Sequence, residues 1–157
     1  MLQFNIRVYG ILVSDGQLLV TDELIRGNRY TKFIGGGLEF GEGTRDCLKR
    51  EFIEEMDLAV EIGEHLYTTD YFQLSAFNPA HQMMSIYYFV TPLEPLSVRL
   101  SETPFDFDEE QMAAYKVQNE TQAFRFIPLQ ELNEESVTLP IDKIVVRTLL
   151  NRLTQTS

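Results

Sequence analysis

Tryptophan is absent from the 157 residues and cysteine occurs once, at Cys47. One cysteine excludes an intramolecular disulfide. With only two histidines, His65 and His81, and no metal-ligand spacing between them, no zinc cluster can be drawn either. Basic residues are scarce: 13 Lys and Arg stand against 24 Asp and Glu, a formal net charge of −11. Such a surface repels polyanions, which argues against a nucleic acid polymer or an anionic membrane as partner. It still admits divalent cations and, through them, a small phosphate compound. Long apolar runs are missing as well. The longest, such as residues 86–90, fall far short of a membrane span. The opening MLQFNIRVYGILV carries no basic region followed by an apolar stretch of signal-peptide length, so the expected location is cytoplasmic.

What is present is an ordinary globular composition, 44% hydrophobic and 24% charged. A chain of this length is expected to form one domain, residues 1–157. Residues 4–13 read as a strand, Ser14-Asp15-Gly16-Gln17 as a turn and residues 18–21 as an antiparallel return. Arg26, Arg29 and Lys32 then precede a glycine-rich loop containing Gly35, Gly36, Gly37, Gly41 and Gly43. Helix propensity rises from Thr44 to Met56. Two β-rich segments, 61–77 and 83–91, flank Asn78-Pro79 and read as a hairpin. The acidic stretch 101–110 reads as loop, 123–127 as a short strand, and a closing helix starts near Pro140 and runs to about Leu153. Irregularly alternating strands and helices with hairpins predict an α+β domain, a mixed sheet covered by helices.

The chemistry concentrates between Gly36 and Leu58. At about 100° per residue, with Leu48 at zero, Phe52 and Met56 complete an apolar stripe. On the same scale Glu55 falls at about −20°, Glu51 at about −60° and Glu54 at about −120°. Three carboxylates therefore share one side of the helix, with Glu55 at the margin of the stripe. Like charges three and four residues apart repel, and a carboxylate at a buried margin needs a cation or donor. A hard divalent cation would meet both demands. The preceding glycines permit tight turns and close backbone approach to a ligand, and Glu42 and Arg50 are placed to pair across loop and helix. Taken alone, a glutamate-rich helix is more often a solvated face.

The whole segment resembles the Nudix box, G-x(5)-E-x(7)-R-E-U-x-E-E-x-G-U with U apolar. Gly36, Glu42, Arg50, Glu51, Glu54 and Glu55 match in register, and Phe52 and Leu58 fill apolar positions. At average residue usage, six such matches arise at one start point roughly once in 10^7. The flanks Phe33-Ile34-Gly35-Gly36-Gly37-Leu38-Glu39 and Phe124-Arg125-Phe126-Ile127-Pro128-Leu129-Gln130-Glu131-Leu132 are similar to family segments before and after the box. Two departures stand out. Asp57 occupies the glycine position at which the helix should end in a left-handed turn, and Ile34 replaces a common proline.

The resemblance implies the Nudix fold, an α/β/α sandwich, and the activity of a MutT-like hydrolase. Such enzymes cleave a diphosphate linkage in a nucleoside diphosphate derivative by water attack at phosphorus, with Mg²⁺ or Mn²⁺. Carried over by position, Glu51, Glu54 and Glu55 are metal ligands, joined by a backbone carbonyl of Gly36 or Gly37. Arg50 and Glu42 form a supporting pair. Glu51 or a more distant acid activates the water; Glu120 is the first candidate, Glu109 and Glu110 the second. Arg26, Arg29 and Lys32 are candidate substrate contacts on phosphate. Tyr71, Phe72 and Phe77 read as core or sheet packing rather than base stacking, His65 and His81 as surface residues, and Cys47 as a small packing residue. ADP-ribose and dinucleoside polyphosphate subfamilies carry a proline or tyrosine about sixteen residues past the box. Leu74 stands there, so neither assignment is supported. Many members pair as homodimers, although no segment here marks an interface. Two other readings remain: a silent Nudix-like nucleotide sensor, and an isomerase of diphosphate-bearing lipid precursors, for which Cys47 is badly placed.

Overall fold

The computed structural model describes residues 1–155. The chain runs β1 (Gln3–Ile11), β2 (Val13–Ser14), β3 (Gln17–Ile25), β4 (Asn28–Lys32), β5 (Ile34–Gly37), α1 (Thr44–Met56), β6 (Val60–Thr68), β7 (His81–Pro92), α2 (Glu109–Gln118), β8 (Glu120–Pro128) and α3 (Pro140–Gln155). One four-stranded sheet has the order β5-β1-β7-β6, with β1 and β7 parallel and the other pairs antiparallel. The second sheet is antiparallel and centred on β3. β8 pairs along all of β3, while β2 and β4 share its other edge.

Period-2 alternation divides the core into two layers. Val8, Leu12, Leu19 and Ile34 point toward Leu48, Phe52 and Met56 of α1. Tyr9, Ile11, Leu18, Val20 and Phe33 point the other way, toward Ile141, Val145, Val146 and Leu149 of α3. The sheets are thus sandwiched between helices, as the sequence predicts. Gly10 sets how closely α1 approaches: a Cβ there would lie 2.6 Å from the Phe52 ring and 2.8 Å from a Val90 methyl. Among the described residues no helix is long and apolar enough to cross a membrane.

Several local expectations need correction. Arg29 and Lys32 lie in strand β4, and the predicted glycine loop is a strand where it adjoins β1, because β1 supplies the hydrogen-bonding partner for residues 34–37. The segment 61–77 leaves the sheet after Thr68 as a loop and rejoins it at Leu74↔Gln82. There Ser75 N–H donates to His81 O, Met83 N–H to Gln73 O and His81 N–H to Asn78 O, so the chain does turn at Asn78-Pro79 but the paired strand is interrupted. That loop carries Tyr71 and Phe72 outside the core, Phe72 being 67% exposed. The acidic stretch is irregular only to Asp108. There the Asp108 carboxylate accepts from Gln111 N–H, and the Gln111 side chain accepts from Asp108 N–H, starting α2. α2 buries no residue, so it shows no apolar stripe. Buried Asp22 ties the acidic loop to the sheet, accepting from Arg125 Nε at 2.6 Å, Thr31 Oγ1 at 2.7 Å and Phe105 N–H at 3.2 Å.

Candidate active site

The box helix begins at Gly43, in extended backbone, and ends at Asp57 in the left-handed conformation, φ 49° and ψ 44°. Asp57 N–H donates to Ile53 O, and Leu58 N–H to Phe52 O, which closes the exit. The departure at the glycine position therefore leaves the turn's shape intact. Burial of the glutamates follows the helical angles in outline: Glu51 and Glu55 are half-buried, with the Glu51 side chain 13% exposed, whereas that of Glu54 is 57% exposed.

Arg50 organises the loop. Its Nη2 and Nε donate to the two Glu42 oxygens at 2.7 and 3.0 Å, and Nη2 also reaches Gly37 O at 3.1 Å. Its Nη1 donates to Glu51 Oε1 at 2.9 Å and Glu54 Oε2 at 3.2 Å. Glu42 in turn accepts from Glu39 N–H at 2.9 Å. Hydrogen bonding by Arg50, then by that backbone N–H, holds the Glu42 carboxyl down to about 2. The pair predicted from sequence is thus a bidentate clamp across loop and helix. Gly36 contributes by lacking a side chain, since a Cβ would sit 2.4 Å from the Glu51 carboxylate.

Glu51, Glu55, Gly36 and Gly37 border a cavity of about 660 Å³. Of the predicted substrate contacts, Arg26 and Lys32 line it, whereas Arg29 does not and lies over the Phe105 ring. Three charged lining residues, Arg7, Glu23 and Asp142, are not among those the sequence points to. Arg7, on β1, stands opposite Gly37 in the β1–β5 register and lines the cavity; its Nε donates to Tyr9 Oη at 2.6 Å. Glu23, on β3, pairs with Lys32 at 3.4 Å. Burial opposes the charge on Arg7, but Tyr9, Glu51 and Glu23 outweigh it and raise its pKa. Lys32 is likewise raised, by Tyr9 and Glu23 against burial. Glu120 lines the same cavity, at the start of β8 opposite Ile25. Glu110 lines only an adjoining one, and Glu109 borders neither. Phe77 and His81 also reach the cavity wall; His65 instead bonds Thr68.

Among the described residues, no three acidic, histidine or cysteine side chains already converge as a metal cluster. Arg50 holds Glu54 and one Glu51 oxygen away from such a grouping. The donor set nevertheless fits a hard cation. Glu55 Oε2 is buried with no hydrogen-bond partner. Burial, then repulsion from Glu23 and Glu51, pushes the Glu55 carboxyl up to about 8. An all-oxygen site carrying excess negative charge is what Mg²⁺ or Mn²⁺ satisfies. Cys47, by contrast, is buried and its thiol is pushed up to about 12, chiefly by burial and then by Glu42, which makes it a poor nucleophile.

The box, its clamp and the layered fold define one class of protein. The model of the NUDIX domain matches residues 1–148, and the chain belongs to that family. Comparison with curated proteins finds no match. Solved structures with a similar fold include the Escherichia coli ORF135 protein, at 17% identity and TM-score 0.68 over 96% of this chain and 91% of that one. A MutT NUDIX hydrolase from Burkholderia pseudomallei gives 15% and 0.63 over 93% and 98%. An ADP-ribose pyrophosphatase from Streptococcus suis gives 18% and 0.52 over 92% and 86%. At these identities the likeness establishes the fold alone.

Proposed function

We propose that the chain is a divalent-metal-dependent hydrolase that cleaves the diphosphate linkage of a small nucleoside diphosphate derivative. A nucleoside triphosphate and a nucleotide sugar are both within that class. The observation that carries this reading is the cavity's pairing of opposite charges. Its floor holds the crowded carboxylates Glu51 and Glu55, one with an orphaned oxygen, and its wall holds the charged Arg7 and Lys32. The acids alone would repel a polyphosphate and the cations alone would need no glutamates. Together they match a phosphate chain that arrives with a cation.

Glu51, Glu54, Glu55 and the Gly36 carbonyl would hold the Mg²⁺ or Mn²⁺. When bound, the cation neutralises phosphate oxygens and acidifies water. Arg7 and Lys32 bind phosphate oxygens and offset charge as the phosphorus–oxygen bond breaks. Tyr9 holds the Arg7 guanidinium by its Nε, leaving both Nη groups to donate. Arg50 and Glu42 keep the glycine-rich segment fixed over Glu51. Glu120 takes the proton of the attacking water; Glu23 lines the same cavity but is engaged by Lys32. The reading includes a single domain, a cytoplasmic location and no partner beyond substrate and a second copy of the chain.

The test is a screen of nucleoside triphosphates, nucleotide sugars, ADP-ribose and dinucleoside polyphosphates, with and without Mg²⁺. Glu55→Gln serves as the blank because it removes charge at nearly constant volume. Metal-dependent release of phosphate or monophosphate that disappears in the blank supports the enzyme and names its substrate. Equal turnover by Glu55→Gln refutes the assigned site. Tight nucleotide binding with no turnover of any ligand would favour a sensor.

A further inference from the structure

Helix α1 supplies the three glutamates, but a side chain on β8 holds one of them. Gln122 stands opposite Glu23 in the β3–β8 register. It lines the adjoining cavity, of about 570 Å³, together with Glu55 and Glu120. Thr21 is its diagonal neighbour on β3, two residues before Glu23. The alternation that sends Leu19 and Phe124 toward α1 sends Thr21 and Gln122 to the same side. Thr21 is buried there, and its hydroxyl donates to Gln122 Oε1 at 3.0 Å.

That bond decides which end of the amide meets α1. With its oxygen taken, Gln122 has only N–H left to offer. Glu55 is the acceptor. Burial raises the Glu55 carboxyl and Glu23 and Glu51 add to the rise, while the Lys32 charge and a hydrogen bond from the Gln122 side chain pull it back. Glu55 Oε2 is buried with no partner, so the bond falls to Oε1 and the two oxygens are inequivalent. Packing does not ask for this pair. A valine and a methionine of similar size would fill the layer beside Leu19 and Phe124 without enclosing polar atoms. A cationic side chain in place of Gln122 would hold Glu55 more strongly but would cancel the charge that attracts a divalent ion. A neutral amide orients the carboxylate and leaves that charge in place.

We propose that Thr21 and Gln122 form a positioning relay, in which Thr21 fixes the Gln122 amide and Gln122 holds Glu55 by Oε1, so that Oε2 is left to the divalent cation. The inference rests on Glu55 being a ligand of that cation. Neither relay residue is itself a ligand. Both lie outside the box, and the register of β3 against β8 is what brings them together. Outer partners that orient a metal ligand contribute about 10–100-fold in metal affinity.

The experiment is calorimetric titration of the full chain with Mn²⁺ alone, without substrate. Gln122→Met removes the amide at similar length and should weaken Mn²⁺ binding about 10–100-fold. Thr21→Val keeps the shape of the side chain but frees the amide, and should weaken binding about 3–10-fold, as for one neutral hydrogen bond. Thr21→Ser keeps the hydroxyl and should restore binding to within about twofold. In a Gln122→Met background, Thr21→Val should change Kd by less than about twofold, because Thr21 acts through the amide; a merely structural role would make the two changes additive. Additive changes, or a loss of affinity in Glu55→Gln with none in Gln122→Met or Thr21→Val, would overturn the relay while leaving the hydrolase reading in place. Failure of the unaltered protein to bind Mn²⁺ would overturn the metal site and the relay together. Where Gln122→Met does not fold, Thr21→Val against Thr21→Ser decides the question.

Discussion

Replacing Asp57 by glycine should stabilise the protein without touching its chemistry. Asp57 sits at φ 49° with its side chain exposed. Among the described residues its carboxylate takes part in no hydrogen bond or ion pair; only its backbone N–H is used. A side chain in the left-handed region costs about 1–2 kcal/mol, toward the low end for aspartate. Glycine removes that strain but returns about 0.5–1 kcal/mol to the unfolded chain as added freedom. Removing an acid from the negative end of α1 contributes about 0.3 kcal/mol more. The net gain is about 0.5–1 kcal/mol, or about 1–4 °C in Tm for a chain of this size. Thermal and urea unfolding in parallel provide the assay, with a higher midpoint at unchanged m expected. Asp57→Ala is the control: it keeps a Cβ in the strained conformation and should show no comparable gain. A lower Tm for Asp57→Gly, or equal gains for glycine and alanine, would refute the account of the helix exit.

Other outcomes follow from the site. Glu120→Gln should lower kcat by about 10²–10⁴-fold while leaving metal affinity within about threefold, measured by turnover and metal titration; an unchanged kcat removes it as the base. Arg7→Gln should raise KM for the substrate found by the screen by about 10-fold or more, as expected for a lost charge-assisted bond to phosphate, and an unchanged KM would mean that Arg7 serves Glu51 and Tyr9 alone. Asp142 is raised from 3.8 to about 6 by burial, against the opposing pull of Tyr87 and Lys32. Its folded carboxyl binds a proton more tightly than the unfolded one does, so this contribution to stability is complete below pH 3.8 and lost as pH rises through about 6. The loss is ~3 kcal/mol at most, and Asp142→Asn should flatten the stability profile between those limits. A profile unchanged in shape would show that Asp142 does not titrate there.

The parts of the site that were legible in the sequence lie on one helix and the loop before it. Glu51, Glu54, Glu55, Arg50 and Glu42 fall within fourteen residues, and helical geometry alone sets Glu54 apart as the exposed one of the three metal-ligand candidates. The same holds for α3, whose apolar face is periodic. Helix α2 escaped notice because it buries nothing, although Asp108 and Gln111 stand at capping-box spacing. Strands β4 and β5 escaped because neither five residues rich in cations nor an Ile-Gly-Gly-Gly run reads as a strand. Their partners, β3 and β1, supply the ladder. Arg7, Glu23 and Asp142 illustrate the deeper limit. Nothing local distinguishes Arg7 from a surface cation, and it gains its place only when β1 and β5 pair in the register that sets it opposite Gly37. A shift of one residue would send Arg7 to the other face and Val8 out of the core. The burial of Val8 and Tyr9 on opposite layers therefore fixes which face Arg7 takes, that of Tyr9, where its side chain lines the cavity. Hydrophobic alternation in β1 thereby reaches into the chemistry of the site, because it selects the face on which a cation joins the cavity wall.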